Sequence, residues 1–323
     1  MNEFDFITEN LASLAGPEGL GLKDDAANWT PASGCDAVIT MDTMCEGVHF
    51  PHGKFDAELA QKLIRVNVSD LTAKGADPAG YFLSLGLPSG VSEHDLADFC
   101  AGLSKDQDKY GLKLWGGDTV HTGGLSVLTL TMIGTVPSGE MVGRSGAKIG
   151  DIVCVTGSIG GGFLGLAAEQ GRLTLSGSEN AALLSAYHLP EPPYAIRSLI
   201  RKFASAALDI SDGLAADAGH IAKTSGVKLA LNLAEMPTLE ATQTWLGMQS
   251  DKDKALSALA SGGDDYQSLI CTAPENFRAF AAEAKAAGIG LTKIGSIKQG
   301  QGVVCYGEND RPIHLSKSGY THF

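Results

Sequence analysis

Leu208–Gly219 reads L-D-I-S-D-G-L-A-A-D-A-G, and its hydrophobic period changes halfway. Ser205–Ile210 is a short β-run, whereas Leu214–Thr224 carries helical spacing. Asp209 and Asp212 fall at the junction, where a strand end delivers side chains to an open rim and Ser211 or Asp212 can cap the following helix. Taken alone, one S-D-G in such a place reads as that cap and nothing more. It is not alone. Asp24-Asp25-Ala26-Ala27, Thr40-Met41-Asp42, Ser69-Asp70-Leu71 and Gly116-Gly117-Asp118-Thr119 each set an aspartate at the end of an apolar run or against glycine. Five such places read as parts of a single site for polyvalent cations.

The chain around them is long enough for two domains, with 323 residues, 44% hydrophobic and 19% charged. Its 41 glycines often neighbour acidic residues, as expected where backbone approaches a ligand closely. The formal net charge of −13 argues against general nucleic-acid binding, since no Lys/Arg cluster is present to displace counterions. An acidic protein that handles phosphates has to do so through bound cations.

The start, Met1-Asn2-Glu3-Phe4-Asp5, lacks the basic and apolar segments of an export signal, and Leu125–Val136 is too short to span a bilayer. Six cysteines without C-x-x-C spacing read as buried reduced thiols, and the expected location is the cytoplasm.

Helices are expected at Phe4–Ala15, Ala57–Gly75, Glu93–Tyr110, Phe163–Gln170, Glu179–His188 and Asn276–Ala287, with one more after the proline break at Pro190, Pro192 and Pro193 and another past Pro237. Strands are expected at Ala37–Met41, Tyr81–Leu87, Leu112–Trp115, Leu125–Val136, Ile152–Thr156, Val227–Leu233, Gln267–Cys271, Lys293–Ile297 and Gly302–Tyr306. The turn-rich stretch 137–150 divides an N-terminal domain, residues 1–140, from a C-terminal α/β domain, residues 148–323. The fold class is α/β of the α+β kind.

Oxygen ligands without His or Cys partners select Mg²⁺ or Mn²⁺ over zinc. Carboxylates crowded as Asp25, Asp42, Asp70, Asp118, Asp209 and Asp212 would be demand two or more metals between them, and a polyphosphate is the natural guest. No G-x-x-x-x-G-K-[ST] occurs, nor the V-A-I-K and H-R-D signatures of protein kinases. Gly160–Gly165 matches G-x-G-x-x-G, but no second strand with an acidic end follows at the required distance, so a tight strand-to-helix turn is the better reading. Arg144 in Gly-Arg-Ser-Gly is either a bidentate phosphate clamp or a solvated linker arginine. His49, between Val48 and Phe50, is either a packed histidine or a pocket contact; spacing does not decide.

Together, G-x-x-D-D-A-A from Gly21, Glu46-Gly47-Val48-His49-Phe50, V-N-x-S-D-L from Val66, Gly116-Gly117-Asp118-Thr119, G-R-x-G-A from Gly143, D-I-S-D-G-L from Asp209 and Ser261-Gly262-Gly263-Asp264-Asp265-Tyr266 resemble the thiamine-monophosphate kinase family over nearly the whole chain. That family shares a superfamily with aminoimidazole ribonucleotide synthetase, selenophosphate synthetase and a hydrogenase-maturation protein. The resemblance implies ATP-dependent phosphorylation of thiamine monophosphate to thiamine diphosphate with several Mg²⁺ ions. It also implies a homodimer whose N-terminal sheets pair into a barrel, with ATP at the cleft. Carried over by motif, Asp25, Thr40, Met41 (through its backbone), Asp42, Asp70, Asp118, Asp209 and Asp212 would be metal ligands. Tyr110, Gly117, Asp118, Arg144 and Ser211 would contact ATP; His49, Asp264 and Tyr320 would meet the thiamine phosphate. Asp42, Asp118, Asp212 and Arg144 would carry the catalysis. Three positions depart from the family pattern: Lys23 for glycine, Met41 for a small hydroxyl residue, and Asp264 for glutamate. The alternatives are another ATP-dependent synthetase of the superfamily, or a non-catalytic metal- or nucleotide-binding protein.

Overall fold

The computed structural model describes residues 3–307, 311–315 and 319–320. The chain forms two compact units, Met1–Leu71 with Ala76–Gly139, and Thr72–Gly75 with Glu140–Phe323.

The first unit is a four-stranded sheet backed by two helices. After a short α1 (Glu3–Phe6) come β1 (Cys35–Cys45), α2 (Ala57–Ala73), β2 (Asp77–Leu87), α3 (Glu93–Tyr110), β3 (Lys113–His121) and β4 (Val127–Pro137). Strand order is β1-β4-β2-β3, with β2 and β3 parallel and the other pairs antiparallel. Sequence alone marks the ends of α3. Ser92 and Asp95 close a capping box at its start, and Gly111 ends it in the left-handed conformation at φ 70°.

The expected helix Phe4–Ala15 is broken. Beyond α1 the chain continues as a π turn, Ile7–Leu11, and a 3₁₀ turn, Ala12–Leu14. Phe6, Leu11 and Leu14 are still buried, as the spacing predicts, but short polar side chains compete for the backbone, and Ser13 donates to the Asn10 carbonyl. Strand β3 also does not stop at Trp115. It runs on through Gly116-Gly117-Asp118, paired in parallel with Phe82, Leu83 and Ser84 of β2.

The second unit carries β5 (Ile152–Thr156), α4 (Gly161–Glu169), α5 (Gly177–His188), α6 (Arg197–Phe203), β6 (Ala204–Ile210), α7 (Leu214–Ser225), β7 (Lys228–Asn232), α8 (Glu240–Gly247), α9 (Lys252–Ser261), β8 (Gln267–Thr272), α10 (Pro274–Ala286), β9 (Leu291–Lys298), β10 (Gly302–Tyr306) and β11 (Pro312–Ile313). Its seven-stranded mixed sheet has the order β11-β10-β7-β9-β5-β8-β6. Alternation splits its core in two, as a sheet covered on both faces requires. Val153, Val155, Leu208 and Ile210 pack with Leu214 and Ile221 of α7; Cys154, Ala207 and Ile270 face Ile200 and Phe280 of α6 and α10. All six cysteines are free thiols, four of them buried. No helix among the described residues is long and apolar enough to cross a membrane.

Candidate active site

In the first unit, two acidic motifs far apart in sequence reach one cavity of about 390 Å³. Asp24, Asp25, Gly116, Gly117 and Asp118 line it together with Phe82 and Trp115. Asp25 and Asp118 are exposed to it, and the register of β3 on β2 sets Asp118 beside Ser84. Gly117 has a steric reason: a Cβ there would lie 1.9 Å from the Leu83 carbonyl oxygen, so any side chain would part the two strands. The aromatic wall (Trp115, with the Trp29 ring tilted against it at 5.0 Å) had no signal in the motifs.

A second cluster lies where β1 meets α2. The Thr40 hydroxyl donates to the Asp70 carboxylate in a short hydrogen bond. Asp42 is half-buried nearby; burial, then the like charge of Asp70, push its carboxyl up to about 7. Met41, between Thr40 and Asp42, is 63% exposed. The following loop is pinned by Glu46, which accepts the Ser126 and Gly53 amides at 2.9 and 3.0 Å; those bonds bring its carboxyl down to about 2. Within that loop the Cys45 amide donates to His49 Nδ1 at 3.0 Å, so the imidazole is neutral there with its proton on Nε2. Tyr110 is 2% exposed at the end of α3.

The second unit gathers the remaining motifs by backbone hydrogen bonds. The Asp264 amide donates to the Ser211 carbonyl at 2.9 Å, and the Tyr320 amide to the Asp212 carbonyl at 3.0 Å. Ser211, Asp212, Asp264 and Tyr320 therefore share one rim of this unit. Asp209 is buried on β6 opposite Ser268, on the face away from α7. Arg144 is exposed, and its carbonyl accepts from the Thr224 hydroxyl at 3.0 Å.

Neither Ser211 nor Asp212 makes the expected cap. Helix α7 starts after Gly213 with no side-chain cap, and Asp217 instead reaches back from the first turn to accept the amides of Ser211, Asp212 and Gly213, each at 3.2 Å. Asp265 plays a similar part at α4, accepting the Gly160 and Gly162 amides at 2.8 and 3.1 Å. The turn Gly160–Gly165 is indeed a tight passage from strand to helix. Both acids belong to motifs quoted above, but their bonds go to backbone groups that no pattern of residue types names.

Among the described residues no group of three or more His, Cys, Asp or Glu side chains is gathered closely enough to cage a metal. Some carboxylates do feel a like charge: Asp42 that of Asp70, Asp217 that of Asp212 and Asp265 that of Asp264. Around Thr40, Asp42 and Asp70 all donors are oxygen. This suits a hard cation that takes one or two carboxylates and completes its shell with water and substrate phosphate.

Two models of AIR synthase related proteins match the chain, the N-terminal domain over residues 23–136 and the C-terminal domain over 148–308. A thiamine-monophosphate kinase from Caulobacter vibrioides is 41% identical over 322 residues, covering 99% of this chain and 90% of that protein. The Escherichia coli thiamine-monophosphate kinase is 38% identical, covering 94% and 92%. Among solved structures, the thiamine-monophosphate kinase of Stenotrophomonas maltophilia superposes with a TM-score of 0.81 at 34% identity, covering 88% of this chain and 89% of that one. AaThiL complexed with AMPPCP and TMP gives 0.80 at 28% identity, covering 99% and 96%. With its acidic motifs set in this two-unit fold, the chain belongs to the thiamine-monophosphate kinase family of AIR synthase related proteins.

Proposed function

We propose that the chain phosphorylates thiamine monophosphate to thiamine diphosphate by in-line transfer of the γ-phosphoryl group of ATP. The observation that carries this reading is full-length likeness to AaThiL, whose structure holds AMPPCP and TMP, in a chain that retains the acidic motifs.

The acceptor is a phosphate monoester with a second pKa near 6, so it is largely dianionic at neutral pH. Its attack on phosphorus needs no protein base. His49 fits that chemistry as a hydrogen-bond donor through Nε2, since its Nδ1 accepts the Cys45 amide. Asp264 and Tyr320 suit the cationic end of the acceptor, a carboxylate and an aromatic face both favouring positive charge. Asp118 and Gly117 line the first unit's cavity; with Tyr110, Arg144 and Ser211 they are assigned to ATP.

Asp25, Thr40, the Met41 backbone, Asp42, Asp70, Asp118, Asp209 and Asp212 are assigned to hold several magnesium ions. Bound there, magnesium would supply charge neutralisation of the phosphates. Asp42, Asp118, Asp212 and Arg144 are the assigned catalytic set.

The assigned domains are 1–140, for nucleotide, metal and dimerisation, and 148–323. The homodimer reading draws support from β1, an edge strand with Ile39 65% and Met41 63% exposed, a surface suited to pairing with a second sheet into a barrel. Six free thiols favour the cytoplasm.

The test is a coupled assay of ADP release with magnesium, with and without thiamine monophosphate, and chromatography for thiamine diphosphate. Acceptor-dependent ADP with matching product is the expected result. Release of ADP without thiamine diphosphate would point to a synthetase of the superfamily, and no turnover to a binding protein.

A further inference from the structure

In the loop Gly262–Tyr266 two residues with side chains adopt the left-handed backbone region, Asp264 at φ 68° and Tyr266 at φ 50°. A Cβ makes that conformation unfavourable, so the surroundings must impose it. They do so at three alternating points. The Asp264 amide donates to Ser211 at 2.9 Å and the Tyr266 amide to Ile210 at 2.8 Å. Between them Asp265 turns inward, 7% exposed, and its two carboxylate oxygens accept the amides of Gly160 and Gly162. The loop and the glycine turn are in direct backbone contact there, since a Cβ on Gly162 would stand 2.2 Å from the Asp264 carbonyl oxygen. Asp264 and Tyr266 are both half-buried, and the Tyr266 hydroxyl donates to the Asp264 carboxylate at 3.1 Å.

We infer that Asp265 is a positioning residue for acceptor recognition: by clamping the Gly160–Gly162 turn it holds Asp264 and Tyr266 in their strained backbone geometry, with the Asp264 carboxylate aimed at the acceptor. The role rests on the reading of Asp264 as a substrate contact. Only a carboxylate of this length serves both amides. Asparagine would set its NH₂ group against one backbone N–H, donor against donor, and release that side of the clamp.

The test compares steady-state kinetics of the wild type, Asp265→Asn, Asp264→Ala and the double variant, reading KM for thiamine monophosphate and for ATP separately. Asp265→Asn is expected to raise the acceptor KM by about tenfold, a coupling within the range for residues in one network, while the ATP KM holds. On the Asp264→Ala background it should add nothing further. A lowered kcat or melting temperature with the acceptor KM unchanged, or a fully additive double variant, would overturn the positioning role. If Asp265→Asn does not fold, Asp265→Ser, which keeps one acceptor, is read the same way; failure of both to fold makes the residue structural and overturns the role. A wild type without acceptor-dependent turnover would instead sink the functional reading, and this role with it.

Discussion

The backbone amide of Tyr320 donates to the carbonyl of Asp212 at 3.0 Å, tying the end of the chain to the acidic loop before α7. Its neighbour Gly319 packs just as tightly: a Cβ there would sit 2.4 Å from Ala216 Cβ. The ring of Tyr320 stays half-exposed beside that loop. Tyr320→Ala is therefore expected to raise the KM for thiamine monophosphate several-fold, within the roughly 0.5–2 kcal/mol range of a cation–π contact, and to leave the ATP KM unchanged. Gly319→Val should act in the same direction by lifting the tail from Ala216. Initial-rate kinetics with each substrate varied in turn decide it.

Asp42→Asn and Asp212→Asn should each lower kcat by on the order of 10²-fold or more, the scale of losing one preorganised electrostatic contact. Neither should unfold the protein, since both side chains are only partly buried. Activity and thermal melts measured on the same preparations test this, and near-normal turnover would remove the residue from the site.

Glu46 offers a titration of its own. Its carboxyl is depressed to about 2 by the amides of Ser126 and Gly53. A depressed carboxyl contributes stability above its unfolded pKa, near 4.5, and loses it as pH falls through the folded value. Glu46→Gln should destabilise the protein by about 1–3 kcal/mol at pH 7, the cost of a lost charged hydrogen bond. The difference from wild type should shrink between pH 4.5 and 2. Urea denaturation at several pH values measures it; a difference that does not change with pH would refute the assignment.

Sequence reading recovered most of this fold because its signals are local. The capping residues of α3 lie within its own stretch, and Gly302–Tyr306 is bounded by glycines on both sides. It also identified the acidic motifs by type. What stayed hidden depends on distant backbone. Asp217 looks like an ordinary acid in a first helical turn, and only the folded loop shows three amides pointing at it. The broken N-terminal helix is the opposite case, where correct apolar spacing hid short polar side chains that disturb the backbone.

Beneath the first unit's sheet, Asp106 is fully buried and accepts from Arg65 Nε at 2.7 Å and Gln61 Nε2 at 2.8 Å, joining α2 to α3. Asp106→Ala removes the buried carboxylate that Arg65 and Gln61 share and should cost about 3–5 kcal/mol. Replacing both partners with apolar residues, Arg65→Met with Asp106→Leu, should recover most of that loss. Denaturant midpoints of the single and double variants give the answer.

The homodimer reading predicts that Ile39→Asp, on the open edge strand, shifts the protein toward the mass of one chain, 33.5 kDa, in sedimentation at micromolar concentration. Circular dichroism should be unchanged, because Ile39 is exposed within its own unit.

Two helix starts in the second unit, at Gly160–Gly162 and Ser211–Gly213, have the glycine-rich form that elsewhere welcomes a phosphate onto bare amides. Here the carboxyl oxygens of Asp265 and Asp217 already sit in those cradles and take the amides. An incoming phosphate finds both docks occupied by the protein's own side chains. Those amides are already spoken for, so any phosphate this unit accepts should be held by other groups.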